Sequence, residues 1–150
     1  MSCDAVASAA FLWLAAMGPA PDGSAPERPA MPQSAVALEP LFADIVKRAG
    51  ALKAEVEAAQ AGRGALAGDF GARVTALAAL DLEGHKVLAA RGTDGDLKCI
   101  LRGISEDLGL KLKALEAAGA GPARAEALTD LAYLLNDNVE VITAPPAPPV

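Results

Sequence analysis

His85 is the only histidine of the chain and stands four residues after Asp81. On a continuous helix that spacing lets the carboxylate hold one ring nitrogen. A lone helical histidine in a bundle invites comparison with phosphotransfer domains, which carry the pattern HxxKG. Here Lys86 follows the histidine directly and Leu88 occupies the lysine's place. The expected role is therefore a boundary histidine paired with Asp81, with a histidine phosphotransfer-like signalling protein as the alternative. Cys99 has no base placed by sequence to activate it, so nucleophilic catalysis is not expected. With one histidine, the Glu-x-x-His sets of a di-metal bundle cannot be assembled, and CxxCH for covalent haem is absent. No metal and no cofactor are expected. GxG at 62–64 reads as a helix break and not as a phosphate loop.

The charge pattern carries more information. The formal net charge is −6, and no segment supplies the clustered basic surface that phosphate neutralisation needs, so nucleic acid is excluded as a partner. Acids and bases balance in the three helical segments that precede residue 119. In the last one Glu126, Asp130, Asp137 and Glu140 face only Arg124. With Tyr133 they recur at steps of four, three, four and three, which places them on one stripe. Such a stripe is either a solvated face or a docking strip for a protein with a basic surface, Tyr133 being its aromatic anchor.

Four helical segments must position these residues. Aromatic residues make up 3% of the chain, so the core must be aliphatic, and its abundant Ala and Leu favour helix. Helix A is expected from Pro40 to about Ala61, where Phe42, Ile45, Ala49, Leu52, Val56 and Ala59 form a heptad seam. Helix B is expected over 65–91, with Leu66, Phe70, Val74, Leu77, Leu80, Val87 and Leu88 on a broad face. Gly84 interrupts it, and residues 76–90 read either as continuing helix with a close contact at Gly84 or as a hairpin turning there. The central helix, within 94–118, carries Leu97, Leu101, Ile104, Leu108, Leu112 and Leu115 on its main stripe. Its far side bears Cys99, Gly103, Leu110 and Ala114, mostly small residues that admit close helix approach, and marks a candidate self-association face. Helix D follows Pro122, with Ala125, Leu128, Ala132, Leu135, Val139 and Ile142 as its seam. Short connections of three or four residues force antiparallel neighbours, so the expected fold is all-α, an antiparallel up-down four-helix bundle.

The expected domain lies over 36–143. Before it come an apolar N-terminal segment, 1–17, and a Pro-rich linker, 18–35; a Pro-rich tail, 144–150, follows. The apolar run of residues 5–17 is shorter than the roughly 20 residues that cross a bilayer as a helix, and MSCD lacks the basic start of a signal peptide. That run is expected to pack on the bundle or contact a membrane surface, with a cleaved signal or an unstructured start as the alternatives. Cys3 and Cys99 lie in different contexts, so a disulfide is not expected and a reducing, cytoplasmic setting follows. The expected function is that of a non-enzymatic interaction protein: an adaptor, regulator or assembly component acting through protein contacts, with a homodimer as one form. An exported or membrane-surface bundle is the further alternative.

Overall fold

A computed structural model describes residues 34–92 and 95–144 of the chain. The apolar segment 1–17, the linker up to residue 33 and the tail from 145 lie outside the described residues. Ser34 accepts a hydrogen bond from the Val36 N–H and opens a short 3-10 turn, Ala35–Leu38. Four helices follow: α1, Pro40–Gln60; α2, Phe70–Arg91; α3, Gly95–Ala117; α4, Pro122–Thr143. No strand occurs among the described residues. Pro40 and Pro122 open α1 and α4, where the missing N–H of proline leaves no bond unmade. Gly92, at φ 67, closes α2 in the left-handed region, which a side-chain-bearing residue enters at a steric cost.

Each helix packs against its two chain or ring neighbours, α1 on α2, α2 on α3, α3 on α4 and α4 back on α1. The protein is an antiparallel four-helix bundle. Phe42, Ile45, Ala49, Leu52 and Val56 of α1 are buried, as are Leu97, Leu101, Ile104, Leu108 and Leu115 of α3. The hairpin alternative is removed, because α2 runs unbroken through Gly84. A Cβ at Gly84 would lie 3.1 Å from both Leu101 Cδ1 and Phe42 Cε1. Glycine here lets α1 and α3 close on α2.

Two expectations about the elements are corrected. Helix B does not start at residue 65. Residues 61–69 form a connection, because the Glu55 carboxylate reaches across it, accepts the Ala67 N–H at 2.6 Å and pairs with Arg73. Those contacts satisfy a backbone donor outside any helix, and sequence periodicity does not register them. The seam of α4 is also rotated. Leu128, Leu131, Leu135, Asn138 and Ile142 are buried, whereas Ala125 is exposed and Ala132 and Val139 are half-buried. Because α4 packs between α1 and α3, its buried arc is broad and reaches Ala127 and Leu134.

Candidate functional site: an outward acidic face and a buried acid–amide pair

The stripe expected on helix D lies on the outward side of α4, opposite its buried residues. Tyr133 is 70% exposed, Glu126 and Glu140 are exposed, and Asp130 and Asp137 are half-buried. Its charges are not equivalent. Lys111 of α3 donates to Asp130 at 2.6 Å, so Asp130 is an ion-pair tie between α3 and α4. Asp130 also raises the proton affinity of the Lys111 ammonium, first by this hydrogen bond. Glu140 accepts from Asn136 at 2.8 Å. Burial, and then the nearby Glu140 charge, push the Asp137 carboxyl above the usual range. Glu126, Asp137 and Glu140 with Tyr133 make up the rest of the face.

The small-residue stripe of α3 is left uncovered by the other described helices. Leu110 is 61% exposed and Ala114 exposed, and a Cβ at Gly103 would meet nothing within 4 Å. Cys99, half-buried at its head, is disulfide-bonded. That corrects the expectation of no disulfide, and it bears on the reducing setting inferred from it, since such bonds persist in oxidising compartments. The described residues contain no second cysteine.

His85 does not pair with Asp81. Its Nδ1–H donates to the Lys98 carbonyl at 2.7 Å, tying α2 to the first turn of α3. The ring is half-buried. Asp81 turns the other way, into the core.

There Asp81 and Asn138 are each 0% exposed, and Asn138 Nδ2 donates to Asp81 Oδ2 at 2.9 Å. The bond joins α2 to α4, helices that sit diagonally across the bundle and do not otherwise pack together. It therefore crosses the central axis. Asp81 Oδ1 and Asn138 Oδ1 are buried with no hydrogen-bond partner. Burial pushes the Asp81 carboxyl up to about 7, although the Asn138 bond acts in the opposite direction. The expected site residues did not include this pair. The signal was present, however: Val74, Leu77, Asp81, Gly84 and Leu88 step by three, four, three, four, as do Leu128, Leu131, Leu135, Asn138 and Ile142. Both polar residues occupy seam positions.

Among the described residues no group of three or more His, Cys, Asp and Glu side chains could hold a metal ion, and no helix is long and apolar enough to cross a membrane. An open cleft of about 480 Å³ lies between the end of α1 and the start of α4. Gln60, Arg124, Leu128 and Thr129 line it, and Gln60 donates to Thr129 Oγ1 at 3.0 Å. Its polar groups do not converge on a reacting centre. Comparison with protein-family models, with curated proteins and with solved structures finds no match for this chain.

Proposed function

We propose that the protein is a non-enzymatic interaction module that presents the outward face of α4 to a protein with a basic surface. One observation carries this reading: Tyr133, 70% exposed, stands amid Glu126, Asp137 and Glu140. Aromatic residues at interface centres supply much of the contact area, and flanking charges set partner choice and encounter rate. The ion pair between Lys111 and Asp130 supports the reading, because it fixes the helix that carries the face. The role is that of an adaptor, regulator or assembly component.

A photo-crosslinking residue in place of Tyr133 tests this in the native cell, with the same residue in place of exposed Thr75 on α2 as the control. The expected outcome is one predominant adduct from position 133 and none from 75. Glu126→Lys with Glu140→Lys should abolish it, as should about 0.5 M salt when the crosslink is made in a cell lysate, since salt screens exposed charges. Equal capture at both positions, or indifference to the charge reversals, would remove α4 as the docking face.

A further inference from the structure

The buried pair leaves two acceptors without a donor, Asp81 Oδ1 and Asn138 Oδ1. An ionised Asp81 carries no hydrogen to give, so both oxygens would be buried unmet, with a full charge beside them. One proton removes the difficulty. A carboxylic acid and a primary amide pair through two bonds: the amide N–H to one acid oxygen, and the acid O–H to the amide oxygen. The first of these is present between Asn138 Nδ2 and Asp81 Oδ2 at 2.9 Å. The two orphaned oxygens are the atoms that the second would join.

We propose that Asp81 and Asn138 form a proton-gated clasp across the bundle axis, in which Asp81 enters the folded core as the neutral acid and donates its Oδ1–H to Asn138 Oδ1. Folding takes up that proton, and its loss to solvent leaves a carboxylate opposite an amide oxygen and loosens the hold of α2 on α4.

No charged group substitutes for the proton. From α1, Asp44 and Arg48 pair with each other near the surface at 2.8 Å, and Lys47 is exposed. From α3, Arg102 pairs with Glu106, and Lys98 presents its carbonyl to His85. On α2 itself, Glu83 and Lys86 are outward and His85 is engaged with α3. Asp137 and Glu140 of α4 are acidic and add no cation. The proton affinity of Asp81 responds to burial and to Asn138 alone. The remaining buried residues of these helices are apolar.

Two measurements on the full chain test the clasp. In the first, the Asp81 side-chain carboxyl, followed by carbon-13 resonance, should titrate near 7; a midpoint below about 5, close to the model-peptide range, would overturn the proposal. The second compares stability between about pH 4.5 and 8 in the wild type and in Asp81→Asn. The amide puts an N–H where the acid has its O–H and keeps the acceptor oxygen, adds one further N–H, and cannot ionise. Wild type should lose about tenfold in its folded-to-unfolded ratio per pH unit up to about 6.5 and level off above 7.5. Asp81→Asn should lose most of that slope, keeping only the parts due to Asp137 and, in the opposite sense near the acid end, to Glu39 and Glu55, and should exceed wild type at pH 8 by about a hundredfold or more in the same ratio. Equal slopes, or failure of Asp81→Asn to fold, would count against the clasp.

Discussion

The sign of the Asp81 effect follows from its two states. An unfolded chain releases the proton near 3.8, whereas the folded protein holds it to about 7. The stability linked to this group is therefore fully present below 3.8 and is lost as pH rises through about 7. The difference corresponds to on the order of 4 kcal/mol, a large share of the roughly 5–15 kcal/mol by which a domain is stable. Glu39 and Glu55 act in the opposite sense. The bidentate hydrogen bond to Arg91 holds the first carboxyl below its usual range, and the Ala67 N–H does so for the second. Their stabilisation is lost as pH falls below 4.5. His85 supplies a separate residue-scale prediction. Glutamine can donate to the Lys98 carbonyl as the imidazole does, so His85→Gln should change stability by less than about 1 kcal/mol. The docking function proposed for α4 needs no phosphate on this ring. Incubation with acetyl phosphate should leave no acid-labile label on wild type, and a label lost in His85→Gln would move phosphotransfer ahead of it.

At the scale of the element, the periodicity of apolar residues was sufficient for the existence and order of all four helices, and Pro40 and Pro122 mark two of their starts. Periodicity failed where a long-range contact decided the outcome. Leu66 extends the apolar pattern of helix B, yet Glu55 on the preceding helix holds residues 61–69 as a connection. It failed again at Asp81 and Asn138, because polar residue types read as solvent-facing even at seam spacing. The outward stripe of α4 was legible, since a charged face opposite a seam is what the period of 3.6 predicts. Its pairing of Asp130 with Lys111 depends on the register of α3 against α4 and was not. Glycine substitutions separate the two kinds of information. Gly50→Ala on α1, where a Cβ would meet nothing within 4 Å, should stabilise by up to about 1 kcal/mol through helix propensity. Gly84→Ala has the same propensity gain but places its methyl 3.1 Å from Leu101 and Phe42. Overpacking of this kind costs about 1–3 kcal/mol, so the net change should be destabilising. Denaturant midpoints of both variants measure the contrast, and equal stabilisation by the two would mean that α1 and α3 yield at Gly84 without cost.

For the whole molecule, assembly turns on α3. A helix that buries Leu97, Leu101, Ile104, Leu108 and Leu115 while leaving Leu110 61% exposed has two unlike faces. A single exposed leucine is ordinary. Gly103, with open space beside it, and Ala114 make the outer face smooth enough for a second helix to approach closely. A two-fold dimer would bury this patch on both subunits, and Cys99, which is disulfide-bonded, lies at its edge. The expected result in sedimentation is a dimer of the full chain under oxidising conditions, converted to a monomer by Ala114→Arg with helicity unchanged in far-UV circular dichroism. The run of residues 5–17 offers a different cover for the same face, and deletion of residues 1–33 distinguishes them when it is combined with Cys99→Ser, because the deletion also removes Cys3, the chain's other cysteine. A dimer contact survives that deletion. If the wild-type chain is instead a monomer that begins to associate only after the deletion, the N-terminal run is the cover. A monomer indifferent both to the deletion and to Ala114→Arg would leave this face of α3 as ordinary solvated surface, with α4 as the one face still proposed to meet a partner.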